Sequence, residues 1–226
     1  KLTGAIATLH FAATKSNKEN LERENIHNNI YITGNTVIDA LLSVVDENHK
    51  FEDESLNKID FENKKLILLT AHRRENWGEP MKGIFAAVRE MVARNEDVNV
   101  IFPMHKNPLI RELATEGFRG IEDKVHLIEP LEYVDFANLM AKCYLIMTDS
   151  GGIQEEAPAL GKPVMVLRTE TERPEAIEAG TVKLAGINKD DIFNIANELI
   201  NDKEAYEKMA HAANPYGDGK ACEYFK

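Results

Sequence analysis

The sequence predicts an α/β fold built on a doubly wound parallel sheet. Short runs rich in Ile, Val and Leu recur along the chain without polar alternation, which is typical of strands buried on both faces of a parallel sheet. Amphipathic segments separate these runs, as expected of helices that cross over between parallel strands. Together the two patterns favour a domain of about seven strands, with ligands bound at the carboxyl ends of the strands.

The main domain begins at about residue 29. Its predicted strands are Ile30–Thr33, Leu66–Thr70, Val98–Phe102, Val125–Ile128, Leu145–Met147, Val164–Leu167 and Val182–Leu184. The predicted helices between them are Thr36–Val45, Lys82–Ala93, Pro108–Thr115, Asp135–Ala141 and Lys189–Ile200. The polar, acidic stretch Asp46–Lys64 lacks either pattern, and we interpret it as a solvated insertion.

Residues 1–28 fit this scheme poorly. Ala5–Ala13 predicts one further strand and Ser16–Asn25 one helix, followed by a polar stretch. A single βα unit ahead of the main domain is interpreted as the end of another domain.

Composition narrows the range of partners. A chain of 226 residues with 43% hydrophobic content can bury a sizeable core, and no apolar run approaches the ~20 residues that span a bilayer. A formal net charge of −11 argues against nucleic acid or an anionic membrane as the main partner, so an anionic ligand needs a local basic cluster. Cys143 and Cys222 are far apart and predict two reduced cytosolic thiols, not a zinc site or a disulfide framework.

The segment Asp149-Ser150-Gly151-Gly152-Ile153-Gln154-Glu155-Glu156 follows an apolar strand and opens a helix. Backbone N–H groups of the Ser-Gly-Gly turn can converge on a phosphate, and the Ser150 hydroxyl can either cap the helix or donate to a ligand. Glu156 lies one helical turn beyond Gly152, where a carboxylate suits the ribose hydroxyls of a nucleotide. The alternative is an ordinary capped βα turn with a surface pair of glutamates.

Basic side chains follow two of the predicted strands. His72, Arg73 and Arg74 come directly after one strand, and His105 comes after the next. A guanidinium can bind a phosphate through paired donors, while an imidazole can donate to a phosphate or move a proton near neutral pH. The alternative is a loop whose arginines pair with surface carboxylates.

A further arginine, Arg173, follows the strand that ends at Leu167 and precedes Pro174. Proline suits the first position of a helix, so Arg173 is expected beside a helix start on the ligand-facing edge of the sheet. Taken alone, a run of Glu, Arg, Pro and Glu is typical of a solvated surface, and it is the location of this run that favours a functional role.

The order and spacing of these motifs closely resemble the bacterial non-hydrolysing UDP-N-acetylglucosamine 2-epimerases. The matching segments are Ile32–Ala40, His72–Asn76, Met104–Pro108, Asp149–Pro158, Thr171–Glu175 and Asn214–Gly219. The resemblance implies a Rossmann-like parallel sheet as one domain of a GT-B-like two-domain architecture. It also implies interconversion of UDP-N-acetylglucosamine and UDP-N-acetylmannosamine by elimination and re-addition of UDP, without a metal or other cofactor.

The same resemblance implies roles for individual residues. His72 is the catalytic candidate beside the leaving group, while Arg73 and His105 fall where some family members bind a second UDP-sugar as activator. The residues implied to bind UDP are Ser150, Gly151, Gly152, Glu156 and Arg173.

The resemblance also divides the chain. Residues 1–28 are expected to be a remnant of the amino-terminal domain, 29–213 the UDP-binding domain, and 214–226 the start of a carboxy-terminal crossover segment. We expect this stretch alone not to epimerise, because the carboxylates that exchange the sugar proton in the family cannot be mapped onto it. The intact protein is expected to be a cytoplasmic homodimer serving cell-envelope polysaccharide biosynthesis.

Two alternatives remain open from the sequence. The first is another GT-B-type nucleotide-sugar enzyme, either a hydrolysing 2-epimerase or a glycosyltransferase. The second is a non-catalytic nucleotide-sugar sensor.

Overall fold

A computed structural model describes residues 1–225, so the predicted segment 214–226 ends just outside the described residues. The α-helices are α1 Leu2–Ile6, α2 Lys15–Arg23, α3 Thr36–Val44, α4 Glu79–Arg94, α5 Pro108–Gly117, α6 Tyr133–Lys142, α7 Gly151–Glu156, α8 Pro174–Glu178, α9 Lys189–Asn201 and α10 Lys203–Ala210. The strands are β1 His10–Ala12, β2 Ile30–Ile32, β3 Lys65–Thr70, β4 Val98–Pro103, β5 Val125–Ile128, β6 Leu145–Thr148, β7 Val164–Val166 and β8 Val182–Leu184. None of these helices combines the length and the apolar character needed to cross a membrane.

The main sheet has six parallel strands in the order β5-β4-β3-β6-β7-β8. From β3 the chain first proceeds outward through β4 and β5, then returns to the other side of β3 and proceeds through β6, β7 and β8. The strand order therefore reverses between β3 and β6, and the loops after these two strands diverge to leave a crevice. The predicted Rossmann-like parallel sheet is confirmed.

Apolar side chains hold both faces of the sheet. On one face the strands pack against α4, α5 and α9, and on the other against α3 and α6. The two central strands are joined in register from Ile67 opposite Leu145 to Thr70 opposite Thr148, and the Thr70 and Thr148 hydroxyls lie 2.6 Å apart. This buried hydroxyl pair closes the sheet at its carboxyl end, directly beneath the crevice.

The expectation of seven strands in the main sheet is wrong. The predicted strand at Ile30–Thr33 forms β2, which pairs in parallel with β1 as a separate two-stranded sheet. The expected strand Ala5–Ala13 is also shorter, because only His10–Ala12 finds a partner strand, while Leu2–Ile6 turns into a helix. The domain boundaries stay predictions, and the pairing of β1 with β2 favours a first boundary after β2.

The segment between α3 and β3 is docked on the core, contrary to its interpretation as a solvated insertion. Phe51 is 5% exposed and Leu56 is fully buried among the side chains that cover one face of the sheet. The backbone N–H of Glu52 donates to Asp135 Oδ2 at 3.0 Å, and Asn57 exchanges two hydrogen bonds with the backbone of Phe51. The four large apolar residues of this segment, Phe51, Leu56, Ile59 and Phe61, are irregularly spaced among acidic ones, which is why the sequence pattern concealed this contact.

We predict that Leu56→Ala destabilises the fold by about 2–4 kcal/mol, since removing a buried leucine side chain leaves a cavity. Urea unfolding followed by circular dichroism measures the change. Glu54→Ala, at an exposed position of the same segment, serves as the control and is expected to have little effect. Equal stabilities for the two variants would show that the segment does not contribute to the core.

Candidate functional site

The buried carboxylate of Asp149 joins the loop after β3 to the turn after β6. Its Oδ2 atom accepts the backbone N–H groups of His72 and Arg73, each at 2.9 Å, and the side-chain amide of Asn76 at 3.0 Å. The same Asn76 amide donates to the carbonyl of Leu167 at the end of β7. One side chain therefore fixes the loops around the crevice relative to each other.

Asp149 also contacts the imidazole of His72, whose Nδ1 lies 3.1 Å from Asp149 Oδ1. The hydrogen bond to Asp149 raises the pKa of His72, although partial burial of the imidazole opposes this. Burial alone would raise the pKa of Asp149, but hydrogen bonds from His72 and Arg73 outweigh it and lower that pKa. The pair thus favours an imidazolium beside a carboxylate, with the ring of His72 44% exposed toward the crevice.

The ring of His105 lies opposite that of His72. The two ring centroids are 6.1 Å apart and the ring planes differ by 14°. His105 Nδ1 accepts the backbone N–H of Asn107 at 3.1 Å, which fixes the ring orientation. Both histidines and Ser150 border a cavity of about 420 Å³ that also has an apolar wall, formed by Leu131, Phe136 and Ile153.

Helix α7 begins at Gly151, immediately after Ser150, as the motif predicts. The Ser150 hydroxyl makes no capping bond to α7 within residues 1–225, and its expected donation to a ligand stays a prediction. A Cβ atom added to Gly151 would lie 3.8 Å from Arg73 Nη2 and 3.9 Å from Arg173 Nη2. Two guanidiniums therefore stand over the first turn of α7, while the corresponding direction at Gly152 is open space among the described atoms.

Arg173 is held in place by neighbouring acceptors. Its Nε donates to Glu155 Oε1, and its Nη1 donates to the carbonyl of Glu172 at 3.2 Å. Glu172 in turn forms a bidentate pair with the buried Arg168, at 2.6 and 2.9 Å, and this pairing lowers the pKa of Glu172 to about 2. Glu172 and Glu155 thus offset part of the charge of Arg73 and Arg173, while one Nη atom of each guanidinium faces the first turn of α7.

Glu156 closes α7 at its other end and is buried. Burial raises its pKa, the charge of neighbouring Glu155 adds to the effect, and a hydrogen bond from the Tyr133 hydroxyl counteracts it. Glu156 therefore connects the end of α7 to the start of α6 through Tyr133.

The structure brings most predicted site residues to one edge of the sheet. These are His72, Arg73, His105, Ser150, Gly151 and Arg173. Arg74 does not join them, because its guanidinium lies over the ring of Trp77, 6.0 Å from the ring centroid. Sequence reasoning assigned no role to Asp149, Asn76, Glu155 or Arg168, which act through backbone groups and distant partners; only the position of Asp149 directly after β6 could have indicated its part.

A doubly wound sheet with cationic side chains gathered at its switch point defines a Rossmann-like domain of GT-B type with a candidate anion site. The chain belongs to the UDP-N-acetylglucosamine 2-epimerase family, whose model matches residues 1–226.

The chain is similar to several characterised family members. It is 54% identical to the UDP-N-acetylglucosamine 2-epimerase of Bacillus subtilis, covering 98% of this chain and 57% of that protein. It superposes on the Staphylococcus aureus MnaA–UDP co-structure with a TM-score of 0.90 at 50% identity, covering 98% of this chain and 60% of that one. For the Neisseria meningitidis UDP-GlcNAc 2-epimerase bound to UDP-GlcNAc, the TM-score is 0.87 at 44% identity, with coverage of 99% and 62%. The chain thus spans about 60% of the length of such relatives.

We predict that Asp149→Asn lowers the pKa of His72, because the substitution removes the negative charge that stabilises the imidazolium. NMR titration of the histidine Cε1 protons in the native chain and the variant measures the shift. His126, whose pKa is lowered by burial on β5, is the internal control and should titrate alike in both proteins. An unchanged titration of His72 would contradict the pairing.

Because the pKa of His72 is raised in the folded chain, its pairing with Asp149 makes the free energy of unfolding depend on pH. The pairing contributes fully below the pKa of an unfolded histidine, and its contribution is lost as pH rises through the higher folded value.

Proposed function

We propose that this chain is the UDP-binding part of an enzyme that interconverts UDP-N-acetylglucosamine and UDP-N-acetylmannosamine. The observation that carries the proposal is the convergence of Arg73 and Arg173 on the first turn of α7, beside the imidazole of His72. UDP in the S. aureus relative and UDP-GlcNAc in the N. meningitidis relative support the ligand class.

In the proposed reaction, a base removes the C2 proton of the sugar while the C1–O bond breaks and its electrons leave with UDP. A C1=C2 double bond remains, and re-addition of UDP with return of the proton to the opposite face of C2 gives the epimer. The departing diphosphate gains negative charge, which Arg73, Arg173 and the N–H groups of Gly151 and Gly152 stabilise. His72 lies beside the leaving group and, as an imidazolium, donates to the diphosphate oxygen.

The uridine is assigned to the cavity next to the glycine turn. The apolar wall of this cavity, formed by Leu131, Phe136 and Ile153, suits a flat base, while Ser150 at the same cavity donates to the diphosphate. We assign Glu156 to the ribose, since its carboxylate lies one helical turn from the glycines and already accepts a hydroxyl from Tyr133. Arg73 is grouped with the diphosphate on geometry, and His105 stays the candidate for an activator contact.

The resemblance further supports a cytoplasmic homodimer in cell-envelope polysaccharide biosynthesis. We propose that the UDP-binding domain ends at residue 213, as expected, but begins after β2 and not at residue 29, because β2 pairs with β1. Gel filtration with light scattering of the protein, expressed with any residues that its gene encodes on either side, tests the oligomeric state.

We predict that the chain binds UDP more tightly than UMP, since we assign the position that the two arginines face to the second phosphate. Gly151→Val should weaken UDP binding by at least about tenfold, because its methyl groups would fill the space between α7 and the guanidiniums. Calorimetry measures both affinities, and thermal unfolding verifies that the variant is folded. Native UDP affinity in a folded Gly151→Val variant would refute the site.

The reaction itself is tested with UDP-GlcNAc in deuterated water, using the protein with any residues its gene encodes on either side. We predict deuterium at C2 together with UDP-ManNAc, both abolished by His72→Ala. We expect residues 1–226 assayed alone to bind UDP without exchanging deuterium. The residues assigned to the site stabilise the leaving group, and none of them is assigned as the base that removes the C2 proton.

Other products would favour the alternatives. Free ManNAc would indicate a hydrolysing 2-epimerase, a sugar transferred to an added acceptor would indicate a glycosyltransferase, and binding without any turnover would indicate a sensor.

A further inference from the structure

We infer that Glu155 and Asn35 are positioning residues that orient the guanidinium of Arg173 toward the second phosphate of the nucleotide. The inference rests on the proposed UDP site and adds a source of selectivity for a diphosphate over a monophosphate. It also gives a role to two motifs, around Asn35 and around Asn214, that the proposed reaction leaves unused.

Glu155 is a buried carboxylate on α7, with a side chain 8% exposed. One oxygen accepts Arg173 Nε and the other accepts Asn35 Nδ2. Both oxygens of Glu155 are therefore hydrogen-bonded, and the carboxylate cannot rotate toward solvent without breaking both contacts. The buried Glu155 carboxylate therefore fixes the plane of the Arg173 guanidinium in addition to neutralising part of its charge.

Asn35 is itself fixed by the backbone around it. It caps α3, where its Oδ1 accepts the backbone N–H of Val37 at 3.0 Å, and its own N–H donates to the carbonyl of Tyr216 at 2.7 Å. The amide group therefore has one orientation, with oxygen toward α3 and nitrogen toward Glu155.

The segment around Tyr216 completes the support. Gly34 has φ +79°, and a Cβ there would lie 3.0 Å from the carbonyl oxygen of Tyr216, so both conformation and space require glycine. Asn214 Nδ2 donates to the backbone carbonyl of Glu155 at 2.9 Å. Residues 34–35 and 214–216 thus hold Glu155 through both its side chain and its backbone.

The consequence appears at Arg173. With Nε bound to Glu155 and Nη1 bound to the carbonyl of Glu172, Nη2 is the nitrogen directed at Gly151. A phosphate above the first turn of α7 therefore meets a donor whose direction is already set, which reduces the ordering cost of binding. If Nη2 of Arg173 donates to the second phosphate, this orientation contributes less to the affinity for UMP, which has only the α-phosphate.

The test compares UDP and UMP binding by calorimetry in the native chain, Glu155→Gln and Arg173→Ala. Glu155→Gln keeps the shape but removes the ionic acceptor, so UDP affinity should fall by about tenfold while UMP affinity changes by less than about twofold. Glu112→Gln, an exposed position on α5, is the matched control and should bind both nucleotides as the native chain does.

A second variant keeps the inference testable if Glu155→Gln does not fold. Asn35→Ser retains an oxygen that can cap α3 but removes the amide donor to Glu155, and should weaken UDP binding by about threefold without affecting UMP. Asn188→Ser makes the same change at the cap of α9, where no nucleotide effect is expected.

A direct readout of orientation is the NMR signal of Arg173 Nε–H. It should exchange slowly with water in the native chain and quickly in Glu155→Gln and Asn35→Ser. Weaker UDP binding in Arg173→Ala, together with a native UDP-to-UMP ratio and slow exchange in a folded Glu155 or Asn35 variant, would overturn this inference alone. Failure of the native chain to bind UDP, or full UDP affinity in Arg173→Ala, would instead overturn the proposed site.

Discussion

A buried carboxylate needs hydrogen-bond donors from the protein, and the donors to Asp149 come from the loop after β3. Two backbone N–H groups and an amide converge on one oxygen, and the imidazole of His72 stands against the other. The desolvation of the carboxylate is offset only if all these donors remain in place. The two loops that border the crevice between β3 and β6 are therefore joined before any ligand binds, and the same carboxylate orients the imidazole of His72.

The cationic edge of the site depends on a balance of charges. The chain carries a net charge of −11, yet guanidiniums from two different loops face the glycine turn. Carboxylates surround them, with Glu172 shared by Arg168 and Arg73, and Glu155 bound to Arg173. These acidic partners reduce the positive potential but fix the direction of each donor. The design favours a ligand with a particular arrangement of phosphates over anions in general.

Periodicity and motif spacing predicted the parallel sheet, most helices and the edge on which the site lies. They failed at Ile30–Thr33, because an apolar run predicts a strand without showing which sheet it joins or whether both of its faces are buried; Tyr31 and Ile32 are each 50% exposed. They failed again at Leu56, because the apolar residues of its acidic segment are too irregularly spaced to show a pattern. The supports of the site were concealed for a related reason: Glu155 meets Asn35 across 120 residues of sequence, and no local pattern encodes such a contact.

The support of Arg173 also bears on the order in which the molecule can form its site. Asn35 and Tyr216 are far apart in the sequence, and their contact supports the Glu155 carboxylate that binds Arg173. Loops closed over such long separations cost the most entropy and generally form late in folding. A partly folded chain can thus have its central sheet while lacking a correctly aimed arginine, so nucleotide affinity reports on completion of the fold rather than on its beginning.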